Sequence, residues 1–323
     1  MPTFQAYAEA WLEGLDLEES TLAGYRRNLR KHTFPHLGST LVDKVTAHQL
    51  ARLYRALCAD APKGSGLSPT TVRKVHVTVG AVFDAALDEG LVVVNPARKR
   101  AARPPSAKAA KANKDEVAVW TAGQLRAFLG WVRGFEGIDA TIWETYAATG
   151  CRRSELLALR WSDVDLKGQR VKVRQAVNTV TGEMKGTKSG RARVVDVDKT
   201  TVAGLKAWRS HRGSLSLDFV RGDALVFGDL SGNVRNVNSV SMMFTYRVGK
   251  ARKALGAEAV PDLTLHGLRH THATLLLEAG ENPKVVQERL GHASITITMD
   301  IYAHVTATMQ RSAADRFGAL LGG

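Results

Sequence analysis

Cysteine is nearly absent from this chain: Cys58 and Cys151 are its only thiols. Two thiols so far apart make neither a disulfide framework nor a zinc-ligand pattern. The simplest compartment for such a chain is a reducing cytosol. Long apolar runs are missing too, and nothing approaches the roughly 18 residues of a membrane-spanning helix. Met1 to Trp11 carry Glu9 and no Lys or Arg, so no secretory leader is read there. The expectation is a soluble, cytoplasmic protein without membrane contact. Acid is short relative to base, 31 Asp+Glu against 45 Lys+Arg, for a formal charge of +14. Coulomb attraction and counterion release make a polyanion the expected partner. A basic protein that is merely soluble is the alternative that charge alone leaves open. The 323 residues, 44 % of them hydrophobic, suffice for two domains with cores of their own.

Residues 3–95 read as helices. Ser20 is placed as an N-cap before Leu22, Tyr25 and Leu29 on one face, with Pro35 and Gly38 ending that helix. A second helix begins near Thr46 and turns Leu50, Leu53, Tyr54 and Leu57 inward. Ser68-Pro69 pairs a cap with a proline at the first helical position. From there Val72, Val75, Val79, Val82, Phe83 and Ala86 form a stripe that stops at Gly90. These helices carry Arg26, Arg27, Arg30, Lys31, Arg73 and Lys74. They form either a solvated face or a surface for a DNA backbone.

Residues 97–114 hold seven basic residues and no acid: Arg98, Lys99, Arg100, Arg103, Lys108, Lys111 and Lys114, around Pro104-Pro105. Such a segment reads as an extended basic linker that would follow phosphates if it lay on DNA. From 117 onward the pattern mixes. Thr121 caps a helix bearing Leu125, Phe128, Leu129 and Val132, another helix runs from Ile138 to Thr149 and stops at Gly150, and Ser154 is placed as the next cap. The period then falls to two around Val171, Val173 and Gln175, and again over Arg193 to Val197, with a turn at Thr181-Gly182 and a loop through Gly186–Gly190 between. Helices return at 200–212, 238–255, 265–279, 283–290 and 296–320. The fold class expected is mostly α, with a helical domain at 1–96, a basic linker at 97–116, and an α+β domain with a small antiparallel sheet at 117–323.

Several short strings in the second half suit phosphate chemistry. Arg152, within Thr149-Gly-Cys-Arg152-Arg-Ser-Glu155, and Arg269, within His266-Gly-Leu-Arg269-His, offer guanidinium forks for the two non-bridging oxygens of a phosphodiester. Arg153 is the alternative to Arg152. Glu155, one turn on, is the ion-pair partner that would orient the cation. Lys188, in Gly186-Thr-Lys188, suits a general acid for a 5′-oxygen leaving group, with Lys185 as its rival. The order of residues there does not fit a phosphate loop. His266 lies at i, i+3 from Arg269 and can exchange a proton at cellular pH, and His292, after Leu290-Gly291, can hydrogen-bond a phosphate. Tyr302 is the candidate nucleophile, a phenol of pKa about 10 that needs a base or nearby cations. A zinc site on His266, His270 and His272 is the rival reading. It lacks an HExxH pattern and would put Arg269 inside the shell.

Taken together and in order, Thr149–Glu155, Gly186–Lys188, His266–His270, Leu290–His292 and Tyr302 resemble the tyrosine recombinases, the phage-integrase family. The spacings from Arg269 to His292 and from His292 to Tyr302 fit that family. Residues 3–95, with Ser68-Pro69-Thr-Thr-Val and the exit at Asn95-Pro96, are similar to its core-binding domain. The resemblance therefore spans nearly the whole chain. It implies a SAM-like helical domain and a catalytic domain of the DNA-breaking-rejoining type, closing as a C-shaped clamp on duplex DNA. It further implies four protomers on two sites, strand exchange through a Holliday junction and a 3′-phosphotyrosine intermediate, with no ATP, metal or other cofactor. It implies a last helix, about 306–320, that docks on a neighbouring protomer. Arg26, Arg27, Arg30, Lys31, Arg73, Lys74, Arg98, Lys99, Arg100 and Arg103 become candidate DNA contacts. Integration or excision of a mobile element is favoured over resolution of chromosome dimers, with accessory DNA-bending or directionality proteins as further partners. A catalytically silent DNA-binding protein of the same fold is the alternative. Because the chain enters the core-binding region near Thr3-Phe4, it is either a two-domain recombinase or lacks an upstream arm-binding domain.

Overall fold

The computed structural model describes residues 1–60, 64–106, 108–109, 118–186, 192–301, 315 and 317–319. The chain forms two compact units, Met1–Glu116 and Val117–Gly323.

The first unit is helical. Its elements are α1 (Phe4–Glu13), α2 (Glu19–Arg27), α3 (Phe34–Leu37), α4 (Ala47–Cys58) and α5 (Pro69–Asp88). Local chemistry sets several of the starts. Thr46 and Gln49 close a capping box on α4, and Ser68 caps α5 through the Thr71 N–H with Pro69 in the first turn. Two expectations fail here. Ser20 lies inside α2, whose N-cap position is held by Glu18. Pro35 does not end the helix. The chain passes from α2 through one π-helical turn, Asn28–Thr33, into α3, and Pro35 lies just after that turn, near the start of α3. Phe4, Leu29, Leu50, Val75, Val79 and Phe83 lie at the centre of the core, with Phe4 stacked on Phe83 at 5.2 Å.

The segment read as linker starts differently too. Short 3-10 turns at Pro96–Arg98 and Arg100–Ala102 lie on α4 and α5. Ala97 and Ala102 are buried in the first core, while Arg98 pairs with Asp84 on α5. Small alanines between the basic residues let this stretch pack with its charges outward.

The second unit opens with α6 (Ala122–Glu136), capped by a Thr121/Gln124 box, then α7 (Thr141–Thr149) and the short α8 (Arg153–Leu156). Among the described residues five strands follow: β1 (Val164–Asp165), β2 (Arg170–Val173), β3 (Gln175–Val177), β4 (Met184–Gly186) and β5 (Arg193–Asp196). The period-two run expected around 171–175 is split at Arg174. β1, β2 and β5 form one antiparallel sheet, with Val171 opposite Val195, while β3 and β4 pair separately as a hairpin. Helices α9 (Lys199–Leu215), α10 (Val237–Leu255), α11 (Leu265–Glu278) and α12 (Pro283–Leu290) come next, and the chain is helical again over residues 295–301, while most of the last helix expected at 296–320 lies outside the described residues. Trp120, Phe128, Trp143 and Phe244 make an aromatic centre, with centroids 5.0 to 5.4 Å apart along the chain of contacts. The Trp120 indole N–H is satisfied by the Pro261 carbonyl at 2.9 Å. α7, α8, α11 and α12 carry the polar cluster described next.

Candidate active site

Gly150 ends α7 with φ +58°, a left-handed conformation that a side chain would strain. Its chain reversal leads straight into Cys151-Arg152. The next helix starts earlier than Ser154, because Glu155 folds its carboxylate back to accept from the Arg152 backbone N–H at 2.7 Å. Arg152 therefore holds the N-cap position and Ser154 lies within α8. The Arg152 guanidinium, about one-third exposed, donates from Nη1 to Glu155 Oε1 at 2.8 Å and from Nη2 to the Gly291 carbonyl at 2.8 Å. Its neighbour Arg153 turns instead to Ser241 Oγ on α10, at 2.7 Å.

Arg269 is buried on α11 and donates to the carbonyls of Gly150 (2.6 Å) and Leu290 (2.9 Å). Burial first, then the charge of Arg152, pulls its pKa down to about 10, so it stays protonated at neutral pH. The Leu290–Gly291 turn thus receives one bond from each arginine, and His292 follows it directly. His292 shares a hydrogen bond between Nδ1 and Thr298 Oγ1 at 2.9 Å. Its pKa is pushed down to about 3 by burial, then by Arg269, Arg152, His270 and Arg193. His266 stands exposed at the start of α11, with its ring edge-on to His270 at 4.7 Å. Crowding by protein atoms, then Arg269, Arg152 and Arg153, lowers its pKa. Both imidazoles are therefore neutral at pH 7 without a bound anion.

Glu155 is buried and lies between two arginines. Burial alone would raise its pKa, but hydrogen bonds and charge from Arg193, then Arg152, hold it below the usual carboxylate range. Arg193 was not singled out from the sequence, and neither was Arg289. Arg289 donates to His272 Nε2 (3.0 Å), to Asp196 O (2.8 Å) and to Ala148 O (2.8 Å). It thereby ties α12 to β5 and α7. Half of their acceptors are backbone carbonyls and the rest are Glu155 and His272, all distant in sequence, which no local pattern announces. Cys151, fully buried, has its thiol pushed up to about 11, first by burial and then by Glu155. It has no nucleophilic character at neutral pH.

Arg152, Glu155, His266, Arg269 and His292 are thus brought together. Lys188 and Tyr302 lie outside the described residues. Ile301, just before Tyr302, packs on the cluster of Ala273, Leu277, Val286 and Leu290 from α11 and α12. The three histidines of the zinc reading are not assembled. His272 donates from Nδ1 to Ala147 O at 2.7 Å and accepts from Arg289 at Nε2, so both of its nitrogens are engaged. Among the described residues, no group of three His, Cys, Asp or Glu side chains is placed to hold a metal.

In the first unit Arg27, Arg73 and Lys74 line one open groove between α2 and α5 with Gly24, Tyr25 and Val77. Arg26 pairs with Glu19 (2.7 Å), and Arg30 takes Glu9 in a two-bond fork (3.0 and 2.8 Å). Arg73 also donates to the Pro105 carbonyl at 2.9 Å. Lys31, Lys99, Arg100 and Arg103 are exposed. No helix among the described residues is long and apolar enough to cross a membrane.

Comparison with known proteins adds independent findings. Residues 122–309 match the model of the phage integrase family, and residues 4–102 match that of the phage integrase central domain. The chain is 29 % identical over 322 residues to a tyrosine recombinase XerD of Mycobacterium tuberculosis, covering 95 % of each chain. It is 24 % identical over 305 residues to the ICEBs1 integrase of Bacillus subtilis, covering 91 % of this chain and 76 % of that one. Among solved structures, the Tn1549 transposon integrase in complex with a circular intermediate DNA superposes with a TM-score of 0.79 at 25 % identity, over 98 % of this chain and 99 % of that one. A lambda integrase tetramer bound to a Holliday junction shares the fold, with a TM-score of 0.65 at 19 % identity over 92 % of this chain and 76 % of that one.

Proposed function

The chain belongs to the phage integrase family, and from that premise we propose that it is a site-specific DNA recombinase working through a 3′-phosphotyrosine at Tyr302. One observation supports this reading above the others. Arg152 and Arg269, far apart in sequence, both bond the Leu290–Gly291 turn that leads into His292, and both act by charge on His292 and His266.

In the proposed reaction the Tyr302 phenol oxygen attacks the scissile phosphorus, forming the tyrosyl ester and breaking the P–O5′ bond. The 5′-oxygen leaves as a hydroxyl with a proton from Lys188. Arg152 and Arg269 meet the non-bridging oxygens, where negative charge grows in the transition state. His292, with Nδ1 engaged by Thr298, would present Nε2 to the same phosphate. His266, neutral in the resting protein, is the acceptor for the phenol proton. Attack of a 5′-hydroxyl on the phosphotyrosine reverses each transfer, so religation needs no external energy source. Glu155 orients Arg152. Residues 1–96 serve as the core-binding domain, 97–116 as a basic linker whose first turns pack within the first unit, and 117–323 as the catalytic domain.

Duplex DNA is the substrate, and four protomers on two sites are the working assembly, by analogy with the lambda integrase tetramer bound to a Holliday junction. Relatives named for a transposon and for ICEBs1 favour integration or excision of a mobile element, acting on the bacterial chromosome in the cytoplasm. A catalytically silent DNA-binding protein is the second reading. Tyr302→Phe separates the two on a nicked suicide duplex. The proposal expects wild type to form a covalent adduct that survives detergent, and the variant to bind DNA without forming it. An adduct from Tyr302→Phe would show that the nucleophile is another residue.

A further inference from the structure

Arg193 lies at the start of β5, with its side chain 11 % exposed. Each of its three nitrogens donates within the protein: Nε to Arg289 O at 2.8 Å, Nη1 to Glu155 Oε1 at 3.1 Å and Nη2 to Glu155 Oε2 at 2.7 Å. Glu155 passes the contact on, since Oε1 also accepts from Arg152 Nη1 and Oε2 from the Arg152 backbone N–H. Arg152 Nη2 then bonds the Gly291 carbonyl. The bonds close a ring from Arg193 through Glu155 and Arg152 to Gly291, and back along the backbone to Arg289. Gly291 itself leans on Arg193: a Cβ there would sit 2.8 Å from Nη1.

Two physical consequences follow. A buried carboxylate with Arg152 alone would neutralise the cation that a phosphate is meant to meet. Adding Arg193 leaves the group of three with a net charge of one positive unit, on the member that is partly exposed. Second, Arg193 spends its hydrogen bonds on the protein, which suits holding other donors in place.

We infer that Arg193 is a positioning residue, which presets Arg152 through Glu155 and the His292 turn through Arg289 and Gly291 before DNA arrives. The inference rests on the recombinase reading above. It places the action of Arg193 on the non-bridging oxygens of the phosphate and not on the leaving group. Misplacing a reacting array by about an ångström costs on the order of 10²-fold in rate.

The test uses the full chain and a library of nicked duplexes with randomised cores, from which wild type selects its own site as a detergent-stable adduct. That site is then made in three forms: the natural phosphodiester, a methylphosphonate in which a neutral methyl replaces one non-bridging oxygen, and a 5′-bridging phosphorothioate whose sulfur leaves without a proton. For Arg193→Gln we expect adduct formation on the phosphodiester to slow by on the order of 10²-fold, at nearly unchanged DNA affinity. Most of that deficit should disappear on the methylphosphonate, which carries less charge to balance, and persist on the phosphorothioate. A residue that only stabilised the fold would slow all three alike. If Arg193→Gln melts below the assay temperature, Arg193→Lys keeps the charge with a single donor atom and carries the same comparison. Wild-type rates from both variants on the phosphodiester, an equal deficit on all three substrates, or rescue by sulfur would each overturn the inference while leaving the recombinase reading intact. Failure of wild type to capture any member of the library would overturn that reading, and this inference with it.

Discussion

Arg152 donates from Nη2 to the carbonyl oxygen of Gly291 at 2.8 Å, across 139 positions of sequence. Arg269 meets the preceding residue of the same turn, Leu290, at 2.9 Å, and the Gly150 carbonyl at 2.6 Å. The two guanidiniums differ in how deeply they are held, and that difference separates their stability effects. Arg269→Ala strands two buried carbonyls and should cost about 3 kcal/mol or more. Arg152→Ala leaves Glu155 with Arg193 and removes a partly exposed side chain, for about 1 kcal/mol. Urea titration of both variants checks the order. Equal losses would mean that Arg269 is less embedded than its hydrogen bonds indicate.

Gly150 and Gly130 make a second, opposed pair. Gly150 has φ +58°, and a Cβ there would lie 2.5 Å from His272 Cδ2 and 2.8 Å from Leu290 Cδ2. Gly150→Ala combines a left-handed residue with overpacking and should cost about 3 kcal/mol. Gly130 lies in α6 with nothing near the site of its Cβ, so Gly130→Ala should gain about 0.5–1 kcal/mol. Thermal melts that moved the same way for both would contradict this account.

The parts of the site legible in the sequence are those set by neighbours. Arg152 with Glu155 and His266 with Arg269 each lie one helical turn apart, and Gly150 stops a helix in the way glycine usually does. Thr46, Ser68 and Thr121 announced their helices because a cap bonds within three residues. Ser20 and Ser154 misled for the same reason: caps are decided by competition, and Glu155 reaching back to Arg152 moved the start of α8. Arg193 and Arg289 were illegible because their acceptors, backbone carbonyls, the Glu155 carboxylate and the His272 ring, are brought close only by the tertiary fold. The burial of Ala97 and Ala102 was hidden by the basic residues around them.

His272 gives the second unit an acid-sensitive joint. Burial first, then the Arg289 charge, pulls its pKa down to about 4, against about 6.5 in the unfolded chain. Between those values the unfolded state binds the extra proton. The neutral imidazole therefore contributes its stability above about pH 6.5, and the contribution is lost as pH falls toward 4, on the order of 3 kcal/mol at most. Urea midpoints measured down that range should fall in wild type and fall less steeply in His272→Gln. Parallel slopes would place the acid sensitivity elsewhere.

The candidate DNA surface of the first unit can be sorted by what its cations already hold. Arg27 and Lys74 are exposed beside one groove, whereas Arg30 is forked onto Glu9. A cation that meets a phosphate releases about one counterion, so its loss lowers the salt slope of binding by about 1. Arg27→Ala and Lys74→Ala should each do so. Arg30→Ala should change the slope less, because Glu9 already offsets the charge and would remain as an added repulsion, weakening binding at low salt. Fluorescence anisotropy on the selected duplex over a salt series measures all three. A full unit lost on Arg30→Ala, with none lost on Arg27→Ala or Lys74→Ala, would move the DNA track away from the α2–α5 groove and onto the Arg30 side of the helices.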